Sequence, residues 1–245
     1  MEELPQPSDE LSVDGCPVVH LLDDPTDVEY VLNTLYDPTF VAQKTLPLAA
    51  IGAFIRLGRN LAEHDALPQN FETITPYLGI EFDVVTLLSE NSIMSALPSA
   101  YYRVVEVNTL GDLYAGILKD DGTRASLSEE DRLRCIVGRQ ALLVKQFQPS
   151  YSLGWLRKWE FTDCTSPAIC PNRREVKMNH SVKNYGIWAL AELKHSSTTS
   201  IFCAACTLHA VESCVAGRQK LWEELPEIFD LPPWDQLKNV SPVAP

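Results

Sequence analysis

The sequence predicts a mainly α-helical chain with a small β contribution near its start. Three observations carry this. Apolar residues recur at helical spacing over several stretches, and capping residues or prolines open most of them. A Val-containing run of strand type stands near the beginning. No regular alternation of strands with helices marks a parallel α/β layout. Of 245 residues, 45 % are apolar and 22 % charged, an ordinary globular mixture that argues against global disorder.

Residues 1–14 are a polar lead-in, and Pro17 to Leu22 reads as a strand. Asp24 caps the next helix, and Pro25 takes its first position, where a missing N–H costs nothing. Asp27 faces the positive end of that helix dipole. Val28, Val31, Leu32 and Leu35 share one face, and Asp37-Pro38 ends the element. A second helix is capped by Thr45 and started by Pro47, with Ile51, Phe54, Ile55 and Leu57 as its apolar surface. The stretch HDALPQNFETITPY has two prolines and no period. It divides the chain into residues 1–62, a linker at 63–78 and a helical region at 79–245.

In that region, helical runs are expected around Phe82 to Leu88 and from Ser92 to Val105, the second kinked or split by Pro98. KDDGTRASLS is a turn-rich loop. Ser128 opens a strong helix whose first turn holds Glu129, Glu130 and Asp131. These acids read as dipole partners and not as a metal site. Leu133, Ile136, Val137, Leu143 and Val144 are its expected apolar surface. Residues 163–181 read as a loop and 182–194 as a helix. A last long helix starts near Cys203 and passes Trp222, and LPEIFDLPPWDQL forms an extended tail packed on the body.

The net charge is −13, from 20 Lys+Arg and 33 Asp+Glu, which disfavours a phosphate backbone as partner. No apolar run approaches the ~18 residues of a membrane span. MEELPQPSDE has neither the basic start nor the apolar core of a secretory signal. The expected location is therefore the cytoplasm or nucleus, where the seven cysteines stay thiols or bind metal. The sequon Asn179-His180-Ser181 carries no weight there.

The sharpest chemical signal is CTSPAIC with CAACTLH. Cys164 and Cys170 form a C-x5-C pair, Cys203 and Cys206 a C-x2-C pair. Four thiolates suit tetrahedral zinc, and the second pair opens a helix, where the dipole favours thiolate. His209 offers itself in place of one cysteine. The first gap exceeds the usual spacing of about two to four residues, and residues 171–202 separate the pairs. Two other readings therefore stay open: small buried hydrophobes, or a redox pair at Cys203 and Cys206. Trp155, Arg157, Lys158 and Trp159 interleave aromatic and basic groups, but in an acidic chain they read as a packed aromatic pair with basic tips in water. No H-E-x-x-H, Gly-rich phosphate loop or G-x-S-x-G occurs.

DGCPVVHLLDDPTDVEYVLNTLYDP, followed by LPLAAIGAFIRLGRN, resembles the second half of a BTB/POZ domain as found in fungal BTB-domain proteins. ALPSAYYR, DDGTRASLS, YSLGWLRKWE, the paired cysteines and LWEELPEIFDLPPWDQLKN resemble what those proteins carry downstream. The resemblance implies a truncated BTB/POZ remnant followed by a helical region with a zinc-stapled loop. The first strands and long helix of such a domain have no counterpart here, nor does a helical portion beyond NLAEHDALPQN. A shortened isoform or an incompletely read gene is the expectation, with residues 1–62 marginal alone. By function the resemblance implies a non-enzymatic protein–protein interaction module that forms homo- or hetero-oligomers. It is adaptor-like toward cullin-type ubiquitin ligases or transcriptional assemblies. Val28, Val31, Leu35, Phe54 and Ile55 are its candidate contact residues. One structural zinc on Cys164, Cys170, Cys203 and Cys206, or with His209, is the expected cofactor.

Overall fold

Residues 12–13, 16–17, 23–36, 45–57, 74–157, 162–183, 186–193 and 201–238 are described by the structure, a computed structural model. The chain divides into two units, Met1–Leu61 and Ala62–Pro245. Both are mostly helical among their described residues.

In the first unit, β1 (Ser12–Val13) pairs antiparallel with β2 (Cys16–Pro17). The rest of the strand expected to reach Leu22 lies outside the described residues. The helix α1 (Pro25–Tyr36) starts where its cap predicts. The Asp24 carboxylate accepts the Thr26 and Asp27 N–H groups at 2.8 and 3.3 Å, and its carbonyl accepts Val28 N–H at 3.1 Å. In α2 (Leu48–Leu57) the first bonds run from Ala50 and Ile51 to the Pro47 carbonyl. Pro47 therefore stands one place before the helix and not at its first position. The two helices pack together, and buried Ala50 and Ala53 keep bulk out of the way. Val28, Val31, Phe54 and Ile55 are half-buried, while Leu32 and Tyr36 are exposed. The Leu35 side chain lies outside the description.

The second unit holds α3 (Ile80–Glu90), α4 (Leu97–Val107), α5 (Leu110–Ala115) and α6 (Glu129–Lys145). After these come α7 (Cys170–Lys183), α8 (Ala204–Glu223) and the single turn α9 (Leu225–Ile228). Inside KDDGTRASLS and just before it, β3 (Ile117–Leu118) and β4 (Arg124–Ala125) pair antiparallel around a turn. Pro98 falls in the first turn of α4, behind a 3-10 turn at Met94–Ala96. The run expected from Ser92 is thus split at Pro98, which starts the new helix and does not kink it, since the first turn makes no use of its missing donor.

The helix α4 lies between α3 and α6, and α9 closes on α4 and α6. The Tyr101 and Phe229 rings meet at 5.4 Å in this seam. A Cβ at Gly138 would come 2.3 Å from Phe229 Cδ1, so only glycine lets that ring seat against α6. A polar knot fixes the same seam. The buried Asp131 carboxylate accepts Ser89 Oγ at 3.0 Å, Ser128 Oγ at 2.6 Å and the Tyr101 hydroxyl. Burial, then the hydrogen bond to Asp131, pushes the Tyr101 phenol above its ordinary range. Asp131 is thus more than a dipole partner, whereas Glu129 and Glu130 remain exposed.

Three expectations need correction here. On α6 the expected apolar residues Leu133, Val137 and Val144 are 62, 55 and 53 % exposed. The buried row is Asp131, Cys135, Gly138 and Leu142. Two rows at helical spacing run side by side on this helix. The one carrying the polar knot and the glycine seat faces inward, although the other is the more hydrophobic.

The expected loop at 163–181 contains α7. That helix buries only Cys170 and Ser181, so it lacks the periodic apolar face that would reveal it. Its start was nonetheless encoded: Ser166 precedes Pro167, and the Ser166 carbonyl accepts Ile169 N–H and Cys170 N–H, both at 3.0 Å. The expected helix at 182–194 is instead irregular over 186–193. Ile187, Ala189 and Leu190 are buried there without a helix because side chains meet the backbone's needs. Gln146 donates to Gly186 O at 3.1 Å and accepts Trp188 N–H at 3.0 Å, and the Tyr102 hydroxyl accepts Leu190 N–H at 2.9 Å.

The tail packs on the body as expected, through buried Leu225, Phe229 and Leu231, but partly as helical turns. Trp222 and Trp234 stack at 5.0 Å.

Truncating Leu142 to Ala is expected to destabilise the protein by about 2–5 kcal/mol, the range for a fully buried leucine. Leu133→Ala is expected to stay within about 0.5 kcal/mol. Urea denaturation of both variants checks this, and the reverse order would contradict the assignment of the buried face.

Candidate metal centre

The chain reaches this site twice. On the first pass, Cys164 follows a turn at Thr162–Asp163, and Cys170 is the first residue of α7. On the second, a turn at Ile201–Phe202 leads to Cys203, which has extended backbone at the N-cap of α8. Thr207 N–H closes the first helical bond on the Cys203 carbonyl at 2.9 Å. A C-x2-C pair across such a start puts Cys206 in the first turn, on the same side as Cys203.

Several contacts converge the two passes. Arg173 Nη1 donates to Ile201 O, and Arg174 Nη1 to Leu156 O, each at 2.5 Å. The 3-10 turn Gly154–Leu156 packs against both α7 and α8. Leu153, Trp155, Leu156, Phe202 and Ala210 form a buried apolar cluster with Cys170 and Cys206, and the Trp155 and Phe202 rings meet edge-on at 5.8 Å. Trp155 is therefore a core residue, as the packed reading of WLRKWE requires. Lys158 and Trp159 lie outside the described residues.

Four sulfurs result, those of Cys164, Cys170, Cys203 and Cys206, all within 4.8 Å of one another. Cys164 and Cys203 Sγ are 4.0 Å apart, and Cys203 N–H points at Cys170 Sγ over 3.4 Å. Zinc–sulfur bonds of ~2.3 Å in a tetrahedron set sulfur–sulfur edges of ~3.8 Å. The group thus needs to contract by little to hold one ion. A multi-iron cluster would spread its thiolates by the further width of its metal core. The donor set is all thiol, with no carboxylate and no open position, which is the composition of a structural site. The cysteines described here are free thiols.

The electrostatics divide the four. Cys206 N–H, then the Thr165 hydroxyl, bond the Cys203 sulfur and hold its pKa down at about 5. Burial pushes the Cys170 and Cys206 thiols up. Without an ion, one thiolate therefore sits beside two buried neutral thiols. With an ion, all four become thiolate, and the N-termini of α7 and α8 both face the charge they carry. Thr165 was not singled out from sequence. Its only signal was adjacency to Cys164.

His209 is not part of the four-sulfur group. Its Nε2 stands 2.9 Å from Asp163 Oδ1 at the surface, one helical turn beyond Cys206. The hydrogen bond to His209 keeps the Asp163 carboxyl below its usual range. The expected exchange of His209 for a cysteine is therefore not what the fold offers, because the helix carries its ring outward to the loop carboxylate. Among the described residues, the turn at Ile201–Phe202 leads directly into the Cys203–Cys206 pair. No helix among the described residues is long and apolar enough to cross a membrane.

No protein-family model, curated protein or solved structure matches the chain.

His209→Ala is expected to keep the bound metal, whereas Cys170→Ser is expected to lose it, as read by metal analysis after gel filtration. Protons compete with the ion for Cys170 and Cys206, so metal affinity should rise with pH and binding should release protons. Calorimetry in buffers of differing ionisation enthalpy measures both. Affinity that is flat with pH, or metal loss in His209→Ala, would contradict the ligand set.

Proposed function

We propose that this chain is a non-enzymatic protein–protein interaction module whose C-terminal helical unit is held together by one structural zinc ion. The observation that carries the proposal is the convergence of Cys164, Cys170, Cys203 and Cys206 within 4.8 Å. Zinc is favoured over harder or redox-active ions because the donors are four thiols in an apolar shell and the span suits a single tetrahedral ion. The site stabilises structure because it leaves no coordination position for a substrate. It joins the loop at Cys164 to the starts of two helices, so the ion's binding energy becomes folding energy for this part of the unit.

The interaction half of the proposal is supported by the BTB/POZ resemblance and by apolar side chains in the open. Leu32 and Tyr36 on α1, and the row Leu133, Val137 and Val144 on α6, are exposed. Such rows are common on surfaces that meet other proteins. Val28, Val31, Phe54 and Ile55 act in this reading as the support beneath the α1 surface. An adaptor role toward ubiquitin-ligase or transcriptional assemblies, in the cytoplasm or nucleus, follows from the resemblance. A four-thiolate site needs its cysteines reduced, which such a compartment would provide. A thiol-redox enzyme built on Cys203 and Cys206 is the weaker reading, since both sulfurs also sit within ligand distance of two others.

Native mass spectrometry of the full chain is expected to find one zinc per chain. Cys203→Ala should lose the ion and the cooperative melting of the helical unit together. Metal-free protein that melts at the same temperature with and without chelator would remove the zinc reading. A strictly monomeric chain that binds no other protein would count against the interaction reading.

A further inference from the structure

The four sulfurs are not equivalent, and the difference has a chemical outcome. Cys170 and Cys206 are 1 and 0 % exposed, inside the apolar cluster with Trp155 and Phe202. Cys164 and Cys203 are half-buried and pack against the outer, partly exposed edge of that cluster. The outer pair are also neighbours, with Sγ atoms 4.0 Å apart. Cys164 stands in irregular backbone, and Cys203 in extended backbone at φ −65° and ψ 164°, before its helix begins. Either side chain can shift without unwinding a helical turn. Cys170 and Cys206 lie within the first turns of α7 and α8 and have no such freedom.

We propose that this centre is a peroxide-sensitive switch, in which oxidation joins Cys164 to Cys203 and expels the ion. The inference rests on the four-thiolate zinc reading and deepens it. A disulfide brings its sulfurs to ~2.05 Å, so the outer pair must close by about 2 Å. That closure removes two of the four ligands at once. The remaining two buried sulfurs do not hold zinc against water.

The chemistry balances with one hydroperoxide as oxidant. One outer thiolate attacks a peroxide oxygen, the O–O bond breaks, and hydroxide leaves. The other outer thiolate attacks the resulting sulfenic sulfur and displaces a second hydroxide as the S–S bond forms. Two electrons pass from the two sulfurs to the peroxide. Two protons convert the hydroxides to water, and two more reprotonate Cys170 and Cys206 as the ion departs. The sum is one tetrathiolate-bound Zn²⁺, one H₂O₂ and four protons giving one disulfide, two thiols, free Zn²⁺ and two waters.

The new bond links the loop before α7 to the start of α8, the same two segments that the ion joined. Oxidation therefore exchanges one staple for another instead of releasing the fold. Reduction in the presence of zinc reverses it. Any pairing within the C-x2-C motif would leave the loop unattached, and so would behave differently.

The test uses the full chain, prepared without oxygen, loaded with zinc and titrated with hydrogen peroxide. Zinc release is followed with a chromogenic chelator, thiols by titration, linkage by peptide mass mapping and helicity by circular dichroism. The expected result is two thiols lost per zinc released, Cys164–Cys203 as the first link, unchanged helicity, and recovery with reductant and zinc. A first link at Cys203–Cys206 or one involving Cys170, release through sulfinic acid, or thiol loss with zinc retained overturns the switch alone. A chain that takes up no zinc before peroxide is added overturns the zinc reading, and the switch with it.

Discussion

Four thiols drawn within 4.8 Å of one another are the constraint on which the C-terminal half of this protein turns. Sulfur atoms packed so closely gain little from each other. Two of them are buried and prefer to be neutral, while a third is held as thiolate by the N–H of Cys206 and the hydroxyl of Thr165. A divalent cation removes the conflict by making all four anionic and attracting each. The surrounding architecture suits that state. Two helices begin at the site, Arg173 and Arg174 lock the neighbouring segments in place, and Trp155 and Phe202 close the inner side.

The rest of the second unit is assembled on a different principle, with polar groups used as pins inside an apolar core. Asp131 gathers three hydroxyls where α3, α4 and the start of α6 meet. Gln146 and Tyr102 hold an irregular segment that would otherwise bury unpaired amides. Each pin is satisfied, so each adds register without the heavy cost of an orphaned buried group. A mostly helical unit can in this way accommodate residues 186–193 against its body with no regular structure at all.

This division explains what could be read from the sequence. Helices with local start signals were legible: Asp24 with Pro25, Ser128 with its acidic first turn, and the long helix beginning beside Cys203. The two cysteine pairs were visible as spacing, but spacing cannot say whether a loop and a distant helix meet. Their convergence depends on α7, whose polar sequence has no apolar stripe and which is held through its arginines and Cys170. For the same reason the apolar residues within 182–194 suggest a helix, although residues 186–193 are irregular. The wrong face of α6 has a related origin: hydrophobicity marks Leu133, Val137 and Val144, yet the choice of inner row is made by Asp131 and Gly138. Long-range hydrogen bonds and close packing are three-dimensional properties that period and propensity do not carry. His209 misled because it sits at plausible ligand spacing while the helix turns it toward Asp163.

Four thiols within 4.8 Å of one another, set against a buried apolar cluster, are the feature on which the proposed function rests. The most direct test of that centre is titration of the reduced, metal-free full chain with cobalt(II), whose visible absorption reports ligand type and geometry together. The account predicts saturation at one ion per chain, with the intense visible bands of a tetrahedral tetrathiolate and near-ultraviolet sulfur-to-metal charge transfer. Weak bands of a six-coordinate oxygen site, or no saturable spectrum at all, would contradict it.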